Sequence, residues 1–379
     1  MQWMYRGIAG ALIILFLASV ARFYHPETGF TVFIAFPAGH DHVSAAMREV
    51  PHFHHTAGSY DGQFYAQRAL DPLLRDPAYD RAMDLAPYRA RRILFSWTAY
   101  ALGRGQPGWI LEAYALQNVA CWLILAALLT RWMPLTSGRR VAVWAACLFS
   151  HGMLWSVRFA LLDTPSMLLI ALAIALAEKG RPLAAALVTG IAGLGRETNV
   201  LAAAAQPLPH DRRSRARVAV ALVVAALPLL VWLDYLRSIY RSTIFSGTEQ
   251  FALPGTALIE TWRDVLFHDV AIHGLFSVQG LWVCLLCSLA VQAGYLAVRR
   301  EYSRPWWRVA VAYAVLMLLL DRILADPNTG AITRVLLPMT VGFNVLLAAE
   351  PRPARFWPWF VLGNAHLLAA YPVMPLFRG

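Results

Sequence analysis

Apolar segments long enough to cross a lipid bilayer recur along the whole length of this sequence. About 20 apolar residues form a helix that spans the hydrocarbon core, and 15% of the 379 residues are charged, against about 25% in soluble domains. We therefore predict an all-α polytopic membrane protein, a single domain over residues 1–379 with about 9–11 transmembrane helices. The nine full spans are predicted at residues 4–20, 109–131, 141–158, 165–177, 218–240, 274–298, 306–324, 335–349 and 356–373.

Basic residues concentrate in the short loops between these spans and give a net charge of +11. Cytoplasmic loops of membrane proteins carry such an excess, so the distribution sets the orientation of the chain and argues against a nucleic-acid partner. The four cysteines lie inside apolar runs. The sequence therefore predicts neither a disulfide framework nor a thiolate metal site.

The first long polar segment, residues 21–92, contains eight basic and eight acidic residues. A long loop without charge bias, rich in His, Tyr and Pro, is typical of an extracytoplasmic functional loop. Residues 91–103 are apolar but too short to cross the bilayer. We predict that they form an interfacial helix.

Arg196 and Glu197 interrupt one apolar stretch within residues 182–207. A single crossing would place the basic cluster at residues 212–217 on the outer face, against the usual excess of basic residues inside. We therefore predict a re-entrant hairpin with Arg196 and Glu197 at its tip, beside a cavity, because broken backbone at this depth needs protein or water around it. Ionisable residues inside a membrane are functional by default, although an ion pair that holds the hairpin in place is an alternative.

Polar and aromatic side chains crowd into the stretch SYDGQFYAQRALDP at residues 59–72. Asp61 is a candidate general base, with a loop-forming role as the alternative. The candidate substrate contacts are Tyr60, Gln63, Tyr65 and Asp71, together with His54 and His55 earlier in the loop. The aromatic rings could equally seat the loop in the headgroup region, and Asp71 precedes a proline, as in many turns.

Arginines are the candidate ligands for an anionic head group, because a guanidinium binds phosphate bidentately. The predicted donor-phosphate contacts are Arg89, Arg92, Arg158, Arg196, Glu197 and Arg334. Simple anchoring at the membrane interface is the alternative for several of them. Two short stretches of the loop are rich in histidine, one with His40 and His42 and the other with His52, His54 and His55. A metal site needs three or four converging ligands, so no metal is predicted, and a phosphate contact or a plain polar loop stays open.

Several motifs together resemble one family. YDGQFYAQRALDP, PYRARRILFSWTAYALG, LLDTPSMLLIALA, GLGRETNVL and TRVLLPM are similar, in order and spacing, to the bacterial GT-C superfamily of membrane glycosyltransferases. The resemblance implies that a carboxylate in the first outer loop, here Asp61, is the catalytic base. Many members have a paired acidic motif, whereas Gly62 follows a lone Asp61 here. A glycine at this position would let the backbone approach a sugar closely.

The resemblance implies an inverting glycosyltransferase that moves a sugar from a polyprenyl-phosphate donor to a glycan or lipid-linked acceptor. It further implies a multi-pass protein of the bacterial inner membrane, with the site facing the periplasm and a role in surface polysaccharide or O-antigen assembly. No cofactor is expected. A flippase for a lipid-linked sugar is the alternative, but transporters often contain internal repeats, which the sequence lacks. A membrane acyltransferase with His151 or His366 as its base is a third hypothesis.

Overall fold

A computed structural model describes residues 2–39, 41–56, 58–241, 250–325 and 330–370. Helices account for 71% of the structure, about twice the share in an average soluble domain. Together with the long apolar helices described below, this confirms an all-α membrane protein. His40 and the end of the predicted span 356–373 lie outside the described residues.

The first part of the described chain combines two long helices with several short ones. Its helices are α1 (Gln2–Ala21), α2 (Ala45–Arg48), α3 (Gly62–Leu70), α4 (Pro77–Arg81), α5 (Ala86–Ala90), α6 (Leu94–Leu102) and α7 (Pro107–Leu129). Within the first loop, Thr31–Ile34 form a 3₁₀ turn, and β1 (Phe36–Pro37) pairs in parallel with β2 (His54–His55). Helix α6 occupies most of the segment predicted as a short helix.

The helices that follow are α8 (Gly138–Leu148), α9 (His151–Arg158), α10 (Asp163–Glu178), α11 (Pro182–Gly193), α12 (Arg212–Tyr240), α13 (Thr256–Asp264), α14 (Val270–His273), α15 (Trp282–Arg299), α16 (Pro305–Leu319), α17 (Arg322–Ala325), α18 (Ala331–Val335), α19 (Leu337–Leu347), α20 (Pro353–Gly363) and α21 (His366–Ala370). Glu197–Ala205 form a 3₁₀ segment and Val265–Asp269 a π-helical turn.

Four helices of the described residues are long and apolar enough to cross a membrane: α1, α7, α12 and α15. The predicted span 141–158 is not one helix, because the chain breaks between α8 and α9, where Ser150 is extended. The predicted span 335–349 begins at a second break, between α18 and α19. Broken helices are tolerated in a membrane where other protein surrounds them, and both breaks are buried. The total of nine or more crossings stays a prediction.

Close packing fixes the first turn of α9. A Cβ on Gly152 would lie 2.4 Å from the backbone oxygen of Thr333, so only glycine permits this contact between α9 and α18. The hydroxyl of Thr333 lies 2.8 Å from Nδ1 of His151. The contact fixes α18, which carries Arg334, against the first turn of α9.

The segment predicted as a re-entrant hairpin consists of α11 and the 3₁₀ segment Glu197–Ala205, joined by a turn at Leu194–Arg196. The Leu194 carbonyl accepts a hydrogen bond of 3.1 Å from the Leu94 amide, which ties the turn to the start of α6. A Cβ on Gly195 would lie 2.6 Å from the Phe95 ring. The turn therefore lies directly against the end of the first loop, while its depth in the membrane stays a prediction.

Aromatic residues join α1, α7 and α8 in the core. The ring of Trp122 stacks on Phe16 with centroids 3.8 Å apart, and its indole N–H donates to the Leu148 carbonyl at 2.9 Å. Trp144 donates in the same way to Ala126 at 2.8 Å. Buried indoles need such partners, so these hydrogen bonds fix how the three helices pack.

Replacing Gly190 of α11 with alanine is expected to destabilise the protein by about 1–3 kcal/mol. The added methyl would lie 2.9 Å from the Ala225 carbonyl oxygen and 2.9 Å from the Pro228 ring of α12. Gly7→Ala on α1 is the matched control, since a Cβ there has nothing within 4 Å. Thermal unfolding in detergent, followed by circular dichroism, should show a lower midpoint for G190A alone. Equal midpoints would contradict the close contact between α11 and α12.

Candidate active site

A cavity of about 510 Å³ opens beside the start of α3, and segments far apart in sequence line it. It brings together seven of the residues predicted from the sequence to act on substrate: Tyr60, Asp61, Tyr65, Arg89, Arg92, Arg196 and Arg334. Asp163 also lines it, as do Asp84, Tyr88 and Gln250, which the sequence did not mark as site residues. The lining therefore pairs three carboxylates with four arginines.

Asp61 lies at the N-cap of α3, but its side chain makes no capping hydrogen bond. Its Oδ1 accepts a hydrogen bond of 2.9 Å from Arg89, and more than a third of the side chain is exposed. Among the described residues, Oδ2 accepts no hydrogen bond. The carboxylate is therefore held on one side and accessible on the other.

Gly62 has a different role from the one expected. A Cβ at this position would lie 2.4 Å from the Phe159 carbonyl oxygen and 3.0 Å from that of Ile34. The side of Gly62 on which a Cβ would lie thus faces protein backbone. The expectation that this glycine lets a sugar approach the backbone closely is wrong. Gly62 instead lets the start of α3 pack against the end of α9, which fixes the position of Asp61.

Arg89 binds two carboxylates at once. Its Nε and Nη2 donate to the two oxygens of Asp84 at 2.9 and 2.6 Å, and Nη2 also donates to Asp61. Nη1 donates to the Tyr65 hydroxyl at 3.2 Å, and the guanidinium lies 4.5 Å from the Phe64 ring centre. Most N–H groups of Arg89 therefore donate hydrogen bonds to other residues of the protein. This suits a residue that orients Asp61.

The charges around Asp61 determine its protonation. Burial alone would raise the pKa of its carboxyl, but the positive charges of Arg89 and Arg334 outweigh this effect and lower the pKa below its ordinary value. The pKa of Asp84 is also lowered, because hydrogen bonds and charge from Arg89 outweigh burial. Both groups are ionised at neutral pH.

Glu197 connects the hairpin turn to the first loop. Its Oε2 accepts a hydrogen bond of 2.9 Å from Nε of Arg92, and its Oε1 lies 3.1 Å from Nε of Arg91. Arg92 also donates to the Tyr65 hydroxyl at 3.2 Å and lies 4.3 Å from the Tyr88 ring centre. Glu197 therefore forms ion pairs that hold the hairpin turn against arginines of the first loop, which was the alternative to a functional role. It does not line the cavity.

Asp163 joins the other two arginines of the cavity. One carboxylate oxygen accepts a hydrogen bond from Arg196, and the other accepts one of 3.2 Å from Arg334. Arg334 also donates to the Tyr60 hydroxyl at 3.1 Å. The buried Nε atoms of Arg196 and Arg334 find no acceptor among the described residues.

Five further predicted residues do not line the cavity. The rings of His54 and His55 bond to the carbonyls of Pro37 and Val32, because the pairing of β1 with β2 turns this stretch toward the start of the loop. Asp71 accepts the amides of Arg75 and Asp76, as a turn-forming residue does. Gln63 is buried within α3, and Arg158 packs over the rings of Phe23 and Phe159.

The described residues contain no group of three or more His, Cys, Asp or Glu side chains that could hold a metal ion. The cation that lies between Asp61 and Asp84 is the guanidinium of Arg89. The chemistry of the cavity is that of an accessible carboxylate surrounded by arginines. It suits proton acceptance next to an anionic group.

These features define a helical membrane protein with a charged cavity built from its first loop and from later helices. Residues 95–321 match the family model described as glycosyltransferase family 87. The match covers more than half of the chain, so the chain belongs to this GT-C-type family of membrane glycosyltransferases, and the resemblance noted from the sequence is confirmed. No curated protein gives a significant match to the sequence. The matched segment includes Asp163 and Arg196, whereas Asp61, Arg89, Arg92 and Arg334 lie outside it.

Glu197→Gln is expected to lower the free energy of unfolding by about 3 kcal/mol, because it leaves the buried Arg92 without its carboxylate partner. Glu178→Gln is the control, since Glu178 pairs with the more exposed Arg131, and such pairs contribute less than about 1 kcal/mol. Thermal unfolding in detergent compares the two variants. Equal effects would contradict a structural role for the contact between Glu197 and the first loop.

Proposed function

We propose that this glycosyltransferase inverts the anomeric centre of a sugar that it takes from a polyprenyl-phosphate donor. The acceptor is a glycan or a lipid-linked saccharide on the periplasmic face of the bacterial inner membrane, and the product enters surface polysaccharide or O-antigen assembly. The observation that carries the proposal is the position of Asp61, accessible in a cavity with four arginines.

Asp61 acts as the general base. The acceptor hydroxyl oxygen forms a bond to the anomeric carbon while the bond from that carbon to the phosphate oxygen breaks. The proton of the hydroxyl passes to Asp61, and the lipid phosphate leaves with the electron pair. The lowered pKa makes Asp61 a weak base, but a phosphate is a good leaving group, so proton transfer late in the reaction is sufficient.

Arg196 and Arg334 bind the donor phosphate. Both line the cavity, and guanidinium groups stabilise the negative charge that grows on a departing phosphate. Asp163 holds both arginines in place from the other side. Arg89 and Arg92 have most of their hydrogen bonds within the protein, so they position Asp61 and Tyr65 and add positive charge to the cavity.

Asp61→Asn is expected to reduce the rate of sugar transfer by about a hundredfold or more, because the amide cannot accept the proton. Binding of the donor should remain. Asp41→Asn is the matched control, an exposed aspartate of the same loop that does not line the cavity. Transfer from a polyprenyl-phosphate sugar is measured in reconstituted vesicles.

Transfer by D61N at the wild-type rate would show that Asp61 is not the base. A wild-type protein that moves the donor across the vesicle membrane without transferring its sugar would be a flippase, and the proposed reaction would be wrong. Full activity of D41N together with loss in D61N is the expected pattern.

The acidic limb of the pH–rate profile is expected to move to higher pH in Arg89→Gln. Asp61 must be ionised to accept a proton, so activity falls as the pH drops through its pKa, which lies below the ordinary value of about 3.9 in the wild type. Without Arg89, burial is less opposed and the pKa rises. Arg75→Gln, an exposed arginine of the same loop, should keep the wild-type profile. An unshifted limb in R89Q would contradict Asp61 as the titrating base.

A further inference from the structure

A second concave site lies at the opposite end of α12 from the cavity. Tyr240, at the end of α12, contacts Arg68 and Asp80 of the first loop. Arg217 lies 23 residues earlier on the same helix, which is roughly 35 Å along its axis. Arg213, Arg217 and Val220 of α12, with Arg181, Pro182 and Leu183 at the start of α11, line a groove of about 690 Å³. We call it the arginine groove.

Within the part of the chain that the structure describes, the three arginines of the arginine groove have no carboxylate partner. None of Arg181, Arg213 and Arg217 takes part in an ion pair formed by the described residues, and no acidic residue lines the groove. The nearby acidic side chains are engaged elsewhere, since Asp211 caps the first turn of α12 and Glu178 binds Arg131. The groove therefore presents uncompensated positive charge.

An apolar surface continues from the arginines along α12. Arg213, Arg217, Val220 and Leu227 recur at intervals of three, four and seven residues, so they share one face of the helix. Val220, Val223 and Leu227 are each more than half exposed, and Leu183 and Leu187 extend a similar strip along α11. Since α12 is long and apolar enough to cross a membrane, this face lies against acyl chains.

We propose that the arginine groove binds an anionic phospholipid of the bilayer, with the phosphate held by Arg181, Arg213 and Arg217 and an acyl chain along the apolar face of α12. The charge complements an anionic head group, and the apolar strip suits its tail. A soluble anion would use the arginines but not the strip. The site is independent of the proposed transfer reaction, because it is separated from the cavity by the length of α12.

The test measures lipid binding to the purified full-length protein by native mass spectrometry. Phosphatidylglycerol and phosphatidylcholine with the same acyl chains are added to detergent micelles. Arg213→Gln combined with Arg217→Gln should lower the affinity for phosphatidylglycerol about tenfold or more. Arg212→Gln combined with Arg215→Gln removes the same charge from the same two turns but from residues that do not line the groove. This control should change the affinity less than about threefold.

Four results would overturn the proposal. Equal losses in the two double variants would mean general attraction by charge. Equal binding of phosphatidylcholine, whose phosphate charge is balanced by choline, would mean that the net negative charge of the head group does not matter. Displacement of the lipid by an equal concentration of glycerophosphoglycerol, which has no tails, would mean a site for soluble anions. Tighter binding of a hexaglutamate peptide, lost in R213Q/R217Q, would mean an acidic protein partner. Unchanged helicity of both variants by circular dichroism excludes unfolding as the cause of a loss.

Discussion

The guanidinium of Arg89, shared between Asp61 and Asp84, is the interaction on which the cavity depends. Its partners come from separate turns of the first loop, and its remaining contacts fix Tyr65 and pack against Phe64. Charges removed from water are costly unless they are paired and hydrogen-bonded. The same rule holds around the cavity: Glu197 pairs with Arg91 and Arg92, and Asp163 pairs with Arg196 and Arg334. These pairs join the loop, the hairpin turn and α18 into one charged wall.

Much of the class and part of the site could be predicted from the sequence, because both follow from local patterns. Long apolar runs indicate membrane-spanning helices, and four of the predicted spans are helices long enough to cross a membrane. The sequence singled out Asp61, Tyr65 and the arginines of the cavity because polar and charged side chains are rare in or beside apolar segments. Placing an ionisable group there costs free energy, so such a residue usually has a function. The structure then brings these residues together in one cavity.

Other parts depend on tertiary contacts that no local pattern reports. Asp84 lies in a polar stretch where a carboxylate looks solvated, and only the folding of α5 brings Arg89 onto it. His54 and His55 were predicted to be site residues. They instead form β2, and its pairing with β1 keeps them away from the cavity. The span 141–158 reads as one apolar run, yet the helix breaks at Ser150, and Gly152 in the next turn packs against the backbone of α18. Gly62 likewise shows its packing role only once Phe159 is placed beside it.

The long sequence separation between Arg334 and the other residues of the cavity has a consequence for biosynthesis. Chains are made from the N-terminus and fold as they leave the ribosome, so Tyr60, Asp61 and Asp163 are made long before α18. Until then Asp163 has Arg196 alone as its partner, and the wall of the cavity stays open on that side. The nascent protein thus acquires the fourth arginine of the cavity, Arg334, only after α18 has been made.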